Sequence, residues 1–160
     1  MTSTIPARSA GLLLHPTSLP GPFGIGDLGP AAFAWVDTLA RAKQTWWQML
    51  PIGPTGYADS PYQCFSALAG NPYLISPEAL AQDGLLDRAD LDGAAFPHNH
   101  VEFGDVIPYK IRLLERAWEQ FQRLRPDGLR AEFDSFCAEQ VGWLDDFAAA
   151  FAAFSATAPG

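Results

Sequence analysis

Residues 57–62, Tyr-Ala-Asp-Ser-Pro-Tyr, are the segment best equipped for recognition chemistry. Aromatic faces stack on the C–H faces of sugars, while tyrosine, serine and aspartate oxygens exchange hydrogen bonds with hydroxyl groups. Tyr57, Asp59, Ser60 and Tyr62 are therefore candidate contacts for a small, neutral, polar ligand. The competing reading is that Tyr57 and Tyr62 only anchor a buried loop. Around them, residues 50–73 (LPIGPTGYADSPYQCFSALAGNPY) hold four prolines and three glycines. Pro51, Pro54, Pro61 and Pro72 fix their own φ and restrain their predecessors. Gly53, Gly56 and Gly70 are expected to supply tight or positive-φ turns between those rigid points. A loop of this length and composition holds a shape, and it reads as one wall of a binding site.

Other candidate chemistry is weaker. Gly24-Ile25-Gly26-Asp27-Leu28-Gly29 matches G-x-G-x-x-G between a predicted strand and a predicted helix. Against a dinucleotide site stand the long Pro-containing loop before it and Pro30, which removes an amide where a pyrophosphate would bind. No acid lies between Gln44 and Thr55 to hold a ribose. Glycine turns leading into a helix are the favoured reading. His98 and His100 lack a third ligand at metal-binding spacing, so a solvated loop is expected there. Asp145 and Asp146 point about 100° apart on a helix and read as a wet face, not a paired-carboxylate site. Cys64 has no activating base near it in sequence.

The elements that must position the loop follow from patterning. Residues 10–14 form a short apolar run, which reads as a strand buried on both faces. Residues 15–29 are a Pro/Gly loop. Pro30 suits a first helical turn, and Phe33, Val36, Leu39 and Ala40 follow at helical spacing. Residues 45–50 are a second strand candidate, completing a βαβ unit with parallel pairing. Pro77 opens a predicted helix through Gln82, and residues 83–108 read as irregular. Leu114, Ala117, Trp118, Phe121 and Leu124 form an apolar helical stripe that ends at Pro126-Asp127-Gly128. One further long pattern, Leu129, Phe133, Phe136, Leu144, Phe147, Phe151 and Phe154, reads as a core-packing helix.

Length and charge bound the class. A chain of 160 residues suffices for a real core, burying roughly 70% of its unfolded surface. The formal charge is −8. Residues 1–77 balance Arg8, Arg41 and Lys43 against Asp27, Asp37 and Asp59, so the acidic excess lies wholly in the second half. A neutral Gly/Pro half and no basic patch argue against nucleic acid and suit an uncharged ligand. Two distant cysteines, Cys64 and Cys137, read as reduced thiols. The longest early apolar run is too short for a membrane span or signal core, so a cytoplasmic protein is expected. Two parallel strands cannot form a stable sheet on their own. The chain is therefore expected to be the opening part of a larger α/β protein.

Three segments carry a resemblance: residues 11–30 (GLLLHPTSLPGPFGIGDLGP), 46–75 (WWQMLPIGPTGYADSPYQCFSALAGNPYLI) and 101–110 (VEFGDVIPYK). They closely resemble the start of the 4-α-glucanotransferases, the amylomaltases or disproportionating enzymes of glycoside hydrolase family 77. Departures are Ala58 where the family usually has glycine, Cys64 where serine is common and Ser76 where aspartate is frequent. The resemblance implies an α/β fold, the opening part of a (β/α)8 TIM barrel with a mostly helical inserted subdomain. Residues 9–76 would supply the first strand–helix units and substrate loop, and 77–160 the helical subdomain. It implies retaining transfer of α-1,4-glucan segments to an acceptor's 4-hydroxyl, with malto-oligosaccharide partners and no dissociable cofactor or metal. Ser60 and Tyr62 would be acceptor-side substrate contacts and Tyr57 part of a glucan surface. Asp59 would support the loop, with sugar contact as the alternative. The catalytic carboxylates would belong to later strands, leaving no catalytic residue in this chain. Other readings are an amylase-type α-glucan hydrolase and a non-catalytic malto-oligosaccharide-binding module.

Overall fold

The structure is a computed structural model that describes residues 8–56, 59–92 and 95–157. Two short strands, β1 (Gly11–Leu13) and β2 (Trp46–Gln48), pair in parallel with Leu12 opposite Trp47. Helix α1 (Pro30–Arg41) connects them, with Pro30 in its first turn as proline chemistry favours. The pairing matches the βαβ expectation, but both strands are shorter than 10–14 and 45–50.

Their surroundings correct a second expectation. Leu12 and Leu13 are 45% and 58% exposed, and Trp46 is 63% exposed, so neither strand is buried on both faces. On α1, Leu39 and Ala32 are buried while Phe33 and Val36 face outward. A pair of strands has no neighbours to cover either face, and one helix shields only part of one. Apolar strand faces in a parallel sheet require layers on both sides.

The core sits elsewhere. Phe23 from the first loop, Leu85 and Leu86, and Tyr109, Leu113, Ala117 and Phe121 form one buried cluster. Helix α2 (Pro77–Gln82) leads into it, capped by the buried Ser76, whose Oγ accepts the Ala79 N–H. Two elements occupy the region read as irregular. Helix α3 (Arg88–Leu91) is held at its start by the Asp87 N–H donating to Asp90 Oδ2 at 2.9 Å. Helix α4 (Phe103–Leu124) begins before Pro108 and contains it. Proline deprives the Gly104 carbonyl of its helical partner, but Gly104 is exposed to water. The buried row Val106, Tyr109, Lys110, Leu113, Ala117 and Phe121 holds the turns on either side. This row is also rotated from the predicted stripe: Trp118 and Leu124 are 45% and 54% exposed.

Arg125, left-handed at φ 47°, ends α4, and Pro126 precedes helix α5 (Asp127–Glu139). The single long helix predicted beyond that point is two, because residues 140–143 form a turn before helix α6 (Leu144–Thr157). Val141 and Gly142 in that turn are both weak helix formers. The phenylalanine stripe is not a buried core either. Phe133 and Phe136 are 37% and 47% exposed; Phe133 packs edge-on against the buried Phe121 of α4, and Phe147 meets Trp143 and Phe151. The Phe154 side chain lies outside the described residues. Among the described residues, no helix is long and apolar enough to cross a membrane.

Candidate functional site

Parallel pairing sends both loops out from the same carboxyl edge of the strands, the edge where α/β proteins build their sites. Two bonds close it: the Leu14 N–H donates to Gln48 O at 3.0 Å, and the Trp47 indole Nε1–H to Leu14 O at 2.7 Å. The second loop, residues 49–76, rises from there.

Its shape comes from internal hydrogen bonds. Thr55 and Cys64 form an isolated antiparallel bridge at the base of the 55–64 excursion. Within it the Asp59 N–H donates to Gly56 O at 3.2 Å, and Pro61–Gln63 form a 3-10 turn that Ser60 precedes. Ser66 Oγ accepts the Leu68 and Ala69 N–H groups. The Asn71 N–H clasps Ile52 O at 2.8 Å, and Asn71 Oδ1 accepts the Tyr73 N–H at the start of a second 3-10 turn, Pro72–Leu74. The loop does hold a fixed shape, but its glycines serve differently than expected. None of Gly53, Gly56 and Gly70 has positive φ. At Gly53 a Cβ would meet Ser66 O at 2.8 Å, and at Gly56 it would meet Gln63 O at 3.1 Å. Close backbone approach is what those two positions require.

Tyr62 is 74% exposed, so it does not anchor a core. Ser60 and Asp59 are half-buried beside it. Tyr57 and Ala58 lie outside the described residues. Asp59 has φ 52°, the left-handed region. Burial pushes its carboxyl above the ordinary range. Tyr73 is pushed up by burial first and by the Asp59 charge second, which places the two groups within electrostatic reach. A shallow hollow flanks the excursion, lined by Ile52, Gly53, Phe65, Ser66 and Leu68 among others. Phe65 also meets Phe151 of α6, centroids 6.3 Å apart.

The loop's far end is fixed by a feature that residue typing missed. Lys110 Nζ donates to Ile75 O at 2.8 Å and pairs with Asp27 Oδ2 at 3.2 Å, the side chains 1% and 10% exposed. Asp27 Oδ1 accepts the Gly29 N–H, and the Leu28 N–H reaches Leu74 O at 2.9 Å. Burial lowers the Lys110 pKa, and the Asp27 charge and hydrogen bond oppose that shift. A visible signal existed: Lys110 occupies a core position of an apolar helical row. This knot also explains the glycine motif. A Cβ on Gly26 would strike Pro16 O, and one on Gly29 would strike Ser76 Oγ. These glycines admit close packing rather than a phosphate.

His15, at the carboxyl end of β1, is half-buried with its pKa lowered by burial. Its Nδ1 has no hydrogen-bond partner among the described residues. His100 instead contacts Asn99 and Glu102 on the surface, and no cluster of three or more metal-binding side chains occurs among the described residues. Cys64 Sγ lies 3.0 Å from Pro61 O, and both cysteines are free.

Comparison with known proteins bears on the family and the fold. The glycoside hydrolase family 77 model, described as 4-alpha-glucanotransferase, matches residues 14–159. A 4-alpha-glucanotransferase from Synechocystis is 49% identical over 88% of this chain and 28% of its own length. One from Thermus thermophilus is 45% identical with the same coverage. The structure of the amylomaltase from Streptococcus agalactiae in complex with acarbose superposes with a TM-score of 0.84 at 36% identity, covering 92% of this chain and 30% of that one. The chain thus spans less than a third of the length of these relatives. By the extent of the match it belongs to the 4-alpha-glucanotransferase family.

Proposed function

We propose that this chain is the opening part of a retaining 4-α-glucanotransferase and that its second loop forms the acceptor side of a glucan-binding cleft. Residues 9–76 are the first strand–helix units of a (β/α)8 barrel, and residues 77–160 are a mainly helical subdomain set beside it. The reading rests on one observation in a chain of this family. A hydrogen-bonded loop at the strands' carboxyl edge offers an exposed Tyr62 ring next to Ser60. Tyr62 stacks on a glucose face, Ser60 bonds its hydroxyls, and Tyr57 extends the surface along a longer chain. The acarbose complex of the Streptococcus agalactiae amylomaltase supports a malto-oligosaccharide ligand.

The chemistry is a double displacement. A carboxylate attacks the anomeric carbon while an acid protonates the departing sugar. The 4-hydroxyl of a second glucan then takes the glycosyl unit from the enzyme. No acid in this chain is given either role; both fall to the rest of the protein. No cofactor or metal enters, and the setting is cytoplasmic, where Cys64 and Cys137 stay as thiols.

Transfer breaks one α-1,4 bond and makes another, so the number of reducing ends stays constant; hydrolysis adds one per event. The full-length enzyme given maltotriose should release glucose and longer maltodextrins with no net gain in reducing ends. A rise in reducing ends matching bond cleavage would move the protein to the hydrolases. The 160-residue chain by itself should give no turnover, and measurable turnover would refute the placement of the carboxylates.

A further inference from the structure

We propose that Asp59 is a positioning residue, whose left-handed backbone aims Ser60 and Tyr62 into the cleft, and that its carboxylate is not a sugar ligand. The inference rests on the glucan-binding reading of the loop. Among the described residues of this loop, Asp59 alone has positive φ. It stands inside the excursion whose base is the Thr55–Cys64 bridge. Its N–H donates to Gly56 O at 3.2 Å. Just after it Ser60 is extended (φ −73°, ψ 124°) and leads into the 3-10 turn, where the Gln63 N–H returns to Ser60 O at 3.0 Å. The left-handed residue 59 therefore leads directly into the segment carrying Ser60 and Tyr62.

Aspartate is one of the few side-chain-bearing residues that tolerate this region; for alanine it is strained. The side chain is half-buried, not displayed like Tyr62. Its electrostatic neighbour is Tyr73, at the loop's returning end, where Asn71 Oδ1 holds the backbone.

Full-length Asp59→Gly, Asp59→Asn and Asp59→Ala enzymes, assayed with maltotriose, separate the roles. A backbone role predicts that Asp59→Gly and Asp59→Asn keep KM within about twofold, since both residues accept φ>0. Asp59→Ala should raise KM about fivefold or more with kcat little changed. In a Tyr62→Ala background the Asp59→Ala change should shrink, because one of the two residues it aims is gone. Equal losses in all three variants would assign the carboxylate to sugar and overturn the proposal, as would an undiminished Asp59→Ala effect without Tyr62. Should the parent enzyme leave maltotriose unchanged, the functional reading fails on its own. Hydrogen exchange at the Gln63 amide then decides: faster exchange in Asp59→Ala but not Asp59→Gly supports the backbone role, and no difference ends it.

Discussion

The second loop and the α5–α6 pair reach order by opposite routes. The loop leaves Ile52, Tyr62, Phe65 and Leu68 substantially exposed, yet its backbone is closed by a bridge, two 3-10 turns and side-chain bonds from Ser66 and Asn71. Helices α5 and α6 satisfy their backbones internally, but Phe133 and Phe136 of α5 and Val141 in the turn between them stay substantially exposed. Hydrogen bonds fix geometry locally without needing a large core, while an amphipathic helix needs a surface to lie on. A region that must hold a few oxygens and rings in place is built the first way.

The comparison can be broken most forcefully at the knot beneath the loop. Lys110→Met in the full-length protein leaves the Asp27 carboxylate buried without its partner. Unfolding in denaturant should show a loss of about 3–5 kcal/mol, and Asp27→Asn in addition should restore part of it. Gly29→Ala forces a methyl against Ser76 Oγ and Asp27 Oδ1. It should cost about 1–3 kcal/mol by the same measurement. If either variant proves neutral, the loop is not anchored from below. Tyr62→Ala sharpens the contrast from above. With the ring mostly in solvent, the melting temperature should hold, while KM for maltotriose rises by about tenfold for a lost stacking contact of about 1 kcal/mol or somewhat more.

The smallest effect concerns His15. Burial lowers its pKa below the unfolded value of 6.5, so on acidification the unfolded chain takes up the proton first. The His15 contribution is complete above that value and is lost as pH falls through the lowered folded pKa. Chemical denaturation of parent and His15→Gln proteins between pH 7.5 and 5 should show a shallower decline in the variant; parallel curves would remove His15 from the account.

Legibility followed the range of the interactions. Pro30, Pro77 and the Pro126 break marked helix boundaries correctly because proline acts on its own backbone. The parallel strand pairing followed from the order strand, helix, strand. The loop's fixed shape was written in its prolines, and the candidate role of Tyr62 in an aromatic beside polar oxygens. Long-range facts were hidden. Asp27 and Lys110 lie 83 positions apart: the apolar row around Lys110 marks it as unusual, but nothing local names Asp27 as its partner. The α4 row was misplaced because Trp118 and Leu124 look like core by type, while Lys110 does not. Glycines in the loop pointed to unusual φ, whereas the left-handed residue is Asp59. Strand burial was misjudged because a short apolar run states a preference for cover, and the cover must come from other chain segments.

The Trp47 indole, bonded across to the Leu14 carbonyl, acts as a rivet between neighbouring strand ends. Both loops then ride on a common foundation: a tilt imposed on one strand would carry the Pro-rich first loop and the tyrosine-bearing second loop together. Adaptation of this edge to a new guest would proceed by altering the loop crowns, with the footing under them left as it stands.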